Sequence, residues 1–439
     1  MARVTDTAAT LRTDRAVRRH QLRAVVSATV GTTIEWYDFF LYGVAAAAVF
    51  PQKFFPGSDP FVATMLSFTT FFVGFVARPI GAAIFGHFGD RIGRKKLLVF
   101  TMIVMGASTM AVGLTPSYEV IGIWGAVFLT LGRILQGLAI GGQWSGSVLM
   151  AAEWTDPNRR GFTTSFAQMG APAGMVLANG ALALMTGLTS DQGFLDWGWR
   201  IPFLASVALV ITGFYIRAGV NETPVFEELK KTGAIVKAPL VEVLRNNGKE
   251  VALSALLRTS QQVCFYIFTT YVITYGTTVL GFGRGLVLNM VMAMALVSCF
   301  ANPLFGHLSD LYGRRTITAI GCTIMIVFPF VYFGLLDTKS LPLVFLAILI
   351  SNPIQDLQYG PQAAYIAESF PASVRYSGSA LGYQLASITA GGPAPLIATL
   401  LLREYGTSTA IAWYISICSV ISLICVFLLK EHRGERDHQ

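Results

Sequence analysis

Charge is scarce in this chain. Of its 439 residues only 13% are Asp, Glu, Lys or Arg, about half of the roughly 25% usual in soluble domains, which excludes an ordinary cytosolic protein. Cysteine is sparse too: Cys264, Cys299, Cys322, Cys418 and Cys425 lie within apolar runs, at spacings that match no zinc or redox motif. The histidines, His20, His87, His307, His432 and His438, fall in polar segments or at the ends of apolar runs. They form neither a nucleophile–base pair nor a metal cluster, so a membrane-embedded enzyme is a weak alternative and no metal is expected. Met1 to Arg23 is polar and basic instead of a short apolar stretch, so it is expected to stay in the cytoplasm without acting as a signal peptide.

What is present is apolar. Hydrophobic residues make up 54% of the chain, with 43 glycines and a mean hydropathy of +0.58, as in a polytopic membrane protein whose helices touch closely through glycine. A bilayer core of about 30 Å takes roughly 20 apolar helical residues. Twelve such runs are expected, at 24–49, 61–86, 97–115, 119–151, 161–187, 199–217, 251–279, 285–307, 316–336, 341–366, 376–402 and 407–429. With the N-terminus inside, and Arg200 and Arg217 at the two ends of 199–217 counted as flanks, 24 of the 32 Lys and Arg fall in cytoplasmic segments, five outside and three within spans, which places both termini in the cytoplasm.

The mixed-charge stretch 218–250 reads as an amphipathic cytoplasmic linker. It separates an N-terminal bundle at 24–217 from a C-terminal one at 251–429, with a basic segment at 1–23 and a tail at 430–439. The halves repeat: Gly86-His87-Phe88-Gly89-Asp90 returns as Gly306-His307-Leu308-Ser309-Asp310, and Glu153 with Arg159-Arg160 returns as Glu368 with Arg375. The expected fold is all-α, two pseudo-symmetric six-helix bundles with a substrate held between them.

The loop Gly86-x-x-x-Asp90-Arg91-x-Gly93-Arg94-Lys95-Lys96, with its copy Gly306-x-x-x-Asp310-x-x-Gly313-Arg314-Arg315, resembles the signature of the major facilitator superfamily. Glu35-Trp36-Tyr37-Asp38-Phe39, Arg78-Pro79-Ile80-Gly81, Trp197-Gly198-Trp199-Arg200-Ile201-Pro202-Phe203 and Glu368-Ser369-Phe370-Pro371-x-x-x-Arg375-Tyr376-Ser377-Gly378 resemble its metabolite:proton symporter branch, which carries shikimate, 2-oxoglutarate, citrate and proline or betaine. The resemblance implies proton-coupled uptake of a small organic anion or zwitterion across a bacterial inner membrane. Protons would be the coupling ion, with no other cofactor, no nucleic acid and a monomeric carrier. An efflux antiporter is the rival, weakened because Gly170-Ala171-Pro172-Ala173-Gly174 lacks parts of the antiporter motif; a uniporter also stays open.

Ionisable groups inside spans cost several kcal/mol and mark function by default. Six occur: Glu35, Asp38, Arg78, Arg133, Arg258 and Asp356. Helical rise puts Glu35 about 18 Å and Asp38 about 22 Å from Arg23, and Arg133 about 22 Å from the opposite side, so an acid and a base share one depth. Arg133-Ile134-Leu135-Gln136-Gly137 matches the family's span-four pattern, and the resemblance implies a role for Arg133 in proton transfer. Either Glu35 or Asp38 is the expected proton carrier, with Asp38 favoured by depth.

Arg258 and Asp356 lie at depths that allow pairing, among Gln262, Gln355, Tyr266 and Tyr359. Arg258 and Arg133 are the candidates to hold a substrate carboxylate, because a guanidinium donates two parallel hydrogen bonds; the alternative is that each serves only its neighbouring acid. Trp144 and Gln136 join the candidate lining, with Gln143, Gln168, Asn179 and Gln384. Arg78, before Pro79, reads as a local structural residue.

Gating falls to Gly86, Asp90, Arg91, Gly93, Arg94, Glu153, Asp310, Gly313, Arg314, Glu368 and Arg375. By resemblance Asp90 caps span eleven near Tyr376, and symmetry assigns Asp310 to span five near Phe162. Glu153 and Glu368 are expected to pair with Arg94 and Arg314. Leu311 stands where the first copy has Arg91, which makes the second copy weaker by one charge.

Overall fold

The computed structural model describes residues 2–432, without the side chains of 2–18, 47–48, 60–61, 64 and 68, and the described regular structure is helical throughout. Residues 433–439, most of the expected tail, lie outside the described residues. Helices dominate because hydrocarbon offers the backbone no partners, so each span must satisfy its N–H and C=O groups internally.

The N-terminal bundle comprises α1 (Ala2–Ala48), α2 (Pro60–Ile92), α3 (Arg94–Leu114), α4 (Trp124–Glu153), α5 (Arg160–Leu188) and α6 (Arg200–Ala218). The C-terminal bundle begins with α7, assembled from Gly248–Leu257, Thr259–Tyr266, a π turn Ile267–Tyr271 and Val272–Thr278. It continues through α8 (Arg284–Tyr312), α9 (Arg314–Asp337) and α10 (Leu341–Glu368). It ends with α11, which runs from Arg375–Ala386 through a π turn Ser387–Gly391 into Ala394–Tyr405, and α12 (Thr409–Leu428).

Ten of these helices are long and apolar enough to cross a membrane. The other two spans are α1, which carries Glu35 and Asp38, and α7, which breaks at Arg258 and again at its π turn. Such interruptions recur where helices line functional sites. Helix α1 starts at Ala2 and so runs through the basic N-terminal segment into the first span.

Within the first bundle α2 packs on α4, α1 on α5, and α3 on α4 and α6; in the second, α8 and α9 pack on α10, and α12 on α9 and α7. Close approach needs glycine at Gly141, where a Cβ would sit 2.1 Å from the Arg78 carbonyl oxygen. The bundles meet where α5 lies against α8 and α10 and where α2 lies against α11.

The linker forms helices Pro224–Thr232 and Pro239–Asn246. Thr223 caps the first by accepting from Phe226 N at 3.3 Å. The second packs on both α2 and α11 and buries Val243, so it bridges the bundles where the sequence led us to expect a surface helix.

Candidate functional site

Glu35 and Asp38 stand one turn apart on α1, both buried. Glu35 Oε2 and both Asp38 carboxylate oxygens have no hydrogen-bond partner among the described residues. Arg133 is the base that faces Asp38, while Arg78 and Arg217 face Glu35. Neither acid forms an ion pair within 4.0 Å among the described residues.

Arg133 instead sits in an aromatic box, its guanidinium carbon 4.6 Å from the Tyr42 and Phe71 rings and 4.7 Å from Phe39. It donates through Nη1 to Gln136 Oε1 at 3.1 Å, and Gln136 Nε2 donates to Thr109 Oγ1 at 2.9 Å. Gln136 therefore orients the arginine inside the first bundle.

Two bases depart from the sequence reading. Arg78 aims its guanidinium over Phe39 and Phe75, at 4.5 and 4.6 Å, and faces Glu35, which is more than a local backbone role. Arg217, the last residue of the expected span 199–217 and counted there as a cytoplasmic charge, is buried at the end of α6. It donates to the Leu98 carbonyl at 2.6 Å and to Ser147 Oγ at 3.3 Å. Gly31, one turn before Glu35, makes room: a Cβ there would lie 1.8 Å from Arg217 Nη2.

Across the interface, Arg258 occupies the break in α7. Its Nη1 donates to the Tyr383 carbonyl at 2.5 Å, and its guanidinium carbon lies 3.0 Å from the Tyr383 ring centroid. The Gln262 amide oxygen, in the orientation that satisfies both partners, accepts from both Nη atoms, Nη1 at 2.6 Å. The Tyr383 ring stacks on Trp144 of α4, and its hydroxyl is 3.4 Å from the Tyr359 hydroxyl. Trp144 Nε1 donates to Gln168 Oε1 at 2.7 Å, and Gln168 Nε2 donates to the Tyr359 carbonyl at 3.1 Å. Tyr266 packs on Phe75 with ring centroids 5.4 Å apart, its hydroxyl without a partner among the described residues.

Thus Arg258, Gln262, Tyr359, Tyr383, Trp144 and Gln168 converge between the bundles. The sequence reading missed Tyr383, whose signal was a tyrosine beside Gln384 in mid-helix. Asp356 does not pair with Arg258; it faces Ser298 and Asn302 on α8. Both amide atoms of Gln355 are buried without a partner among the described residues.

At the face that carries the α2–α3 and α8–α9 turns, carboxylates sit at helix N-termini, where orphan N–H groups favour anions. Asp90 accepts from Tyr376 N at 3.2 Å, Ser377 N at 2.9 Å and Ser377 Oγ at 2.8 Å, at the start of α11. Asp310 accepts from Gly161 N at 2.9 Å and Phe162 N at 2.7 Å, at the start of α5. Arg94 lies 3.4 Å from Glu153 and 3.8 Å from Asp90; Arg314 lies 2.5 Å from Asp310 and 3.3 Å from Glu368. Arg375 Nη1 reaches Glu153 at 4.0 Å.

Gly86 abuts Ser377, whose Cα would be 2.9 Å from an added Cβ, while Gly93 and Gly313 take φ of +109° and +101° at the two turns. Arg91 stands apart from this cluster, exposed and 3.3 Å from His87. Glu222 and Glu431 were not foreseen: Glu222 accepts from Arg94 N and Lys95 N at 3.1 Å, and Glu431 from Arg314 N at 2.6 Å. They cap α3 and α9 in equivalent places, while the Asp90 and Asp310 caps join the two bundles on this face. Among the described residues no group of three His, Cys, Asp or Glu is placed to hold a metal.

Comparison with known proteins agrees with this architecture. The model of the Major Facilitator Superfamily matches residues 28–394. The inner membrane metabolite transport protein YhjE of Escherichia coli K12 is 40% identical over 94% of this chain and 95% of its own. The shikimate transporter of the same organism is 38% identical over 93% and 94%, and its proline/betaine transporter 32% over 93% and 83%. The solved structure of the proton:xylose symporter XylE superposes with a TM-score of 0.77 at 16% identity, covering 95% of this chain and 98% of that one. The chain is therefore a metabolite transporter with twelve membrane helices, and it belongs to the major facilitator superfamily.

Proposed function

We propose that this transporter takes up a small organic anion or zwitterion together with protons, by alternating access between its two bundles. The observation that carries the reading is the pair of buried, unpartnered carboxylates on α1, Glu35 and Asp38, facing three guanidinium groups in the same bundle. A carboxylate with vacant acceptor sites in a low-dielectric interior takes up a proton readily, and a neighbouring arginine promotes its release. Asp38 is the carrier in this reading, and Arg133, held by Gln136 and its aromatic box, is the base that drives release.

The substrate end is Arg258. Gln262 offers one oxygen to both Nη atoms, the place a carboxylate oxygen takes in a forked ion pair. A substrate carboxylate displaces that amide, with the Trp144–Tyr383 stack against the rest of the ligand. Positive-inside asymmetry assigns the closed face to the cytoplasm of a bacterial inner membrane, and the carrier acts as a monomer.

Counterflow in proteoliposomes, with shikimate, proline and glycine betaine as the first panel, tests the substrate class. Exchange of an anionic or zwitterionic solute supports the reading, whereas exchange confined to neutral sugars refutes it.

A further inference from the structure

Asp356 is buried in α10, and among the described residues no base faces it. The groups around it are Ser298, Cys299 and Asn302 of α8 and Tyr359 of its own helix; among the described residues no charged side chain of α5 or α9 acts on it. An uncompensated carboxylate inside a protein is strongly unfavourable, so its charge must meet a cation or a proton.

Its surroundings are neutral side chains that carry oxygen. Asp356 Oδ2, Asn302 Oδ1 and Asn352 Oδ1 are buried and lack any hydrogen-bond partner among the described residues, and the buried Ser298 hydroxyl faces the Asp356 carboxyl with its lone pairs unused. Asn302 commits its amide nitrogen to the Ser298 carbonyl at 3.1 Å, which leaves its oxygen unused. Ser298 precedes Asn302 by one turn on α8, Asn352 precedes Asp356 by one turn on α10, and these helices pack along each other. Two pairs of hard oxygen donors thus share one interhelical space.

We infer that the space between α8 and α10 is a sodium site, with Asp356, Asn302, Asn352 and Ser298 as oxygen ligands. Hard cations select such oxygens. A single carboxylate balances one positive charge, and the three neutral oxygens stand in for hydration; a divalent ion would require more carboxylates. The site lies wholly in the second bundle, goes beyond the proton-coupling reading and does not rest on it.

The test is thermal unfolding of the purified full chain in nanodiscs, at fixed pH and ionic strength, with NaCl replacing choline chloride. A saturable rise of the midpoint with sodium is expected, because a ligand that binds only the folded state stabilises it. Asp356→Asn should abolish the rise, and Ser298→Ala or Asn352→Ala should each raise the half-saturating sodium about tenfold, as lost supporting contacts do at metal sites. If Asp356→Asn does not fold, the two alanine variants decide. Equal midpoints in sodium and choline would overturn the site, as would an unaltered sodium response in the variants. A wild-type midpoint that follows pH but not sodium would also overturn it, giving Asp356 a proton. Loss of proton-coupled uptake is read in a separate transport assay and leaves this result untouched.

Discussion

The rings of Trp144 and Tyr383 stack with centroids 3.4 Å apart and planes 17° from parallel, joining α4 of one bundle to α11 of the other. Aromatic pairs contribute about 1 kcal/mol beyond area burial. Trp144→Ala should therefore raise KM roughly fivefold in initial-rate uptake, and Trp144→Phe should recover most of the loss. An unchanged KM in Trp144→Ala would remove the stack from the binding site.

Arg258 presents a fork between Gln262 and the Tyr383 carbonyl. Charged hydrogen bonds contribute about 1.5–3 kcal/mol each, so Arg258→Ala should raise KM about a hundredfold. Arg258→Lys should rescue little, because an ammonium cannot make the parallel pair. Full rescue by lysine would mean that bulk charge, not forked geometry, is what the substrate meets.

Asp90 and Asp310 hold the first turns of α11 and α5. Removing the charge from either cap, in Asp90→Asn or Asp310→Asn, should cost about 1 kcal/mol of the closed state. Turnover should fall roughly fivefold in each, while substrate binding measured by fluorescence quenching is kept. Equal losses in binding and turnover would contradict a gating role.

Burial holds the Glu222 carboxyl above the usual carboxylate range, against the pull of the Thr223, Lys95 and Arg94 N–H groups and the Arg94 charge. A pKa raised on folding contributes stability that is present below the unfolded value of about 4.3 and is lost as pH rises through the folded value. Glu222→Gln should therefore flatten the decline in melting temperature above that pH. A decline as steep as in the wild type would deny that Glu222 titrates in this window.

The spans, the repeat and the residues of the charged face were legible in the sequence, because hydropathy runs and motifs are local. The partners of the buried charges were not. Helical depth put Arg258 and Asp356 at compatible heights, yet depth says nothing about azimuth, and α10 turns Asp356 toward α8. Arg217 ends an apolar run and so counted as a cytoplasmic charge, but a long side chain over Gly31 carries its charge inward. Tyr383 carries no formal charge to single it out, and its place over Arg258 depends on how α11 lies against α4 and α7. Glu222 and Glu431 act across distances of more than a hundred residues that no local pattern records.

Proton movement tests the proposed coupling most directly. Proteoliposomes in weak buffer, given an inward gradient of a substrate identified by counterflow, should show alkalinisation outside as the solute enters. Asp38→Asn should exchange substrate without that signal, and Glu35→Gln should retain it in part. Substrate entry with no pH change in the wild type, or an undiminished change in both variants, would contradict proton symport through α1.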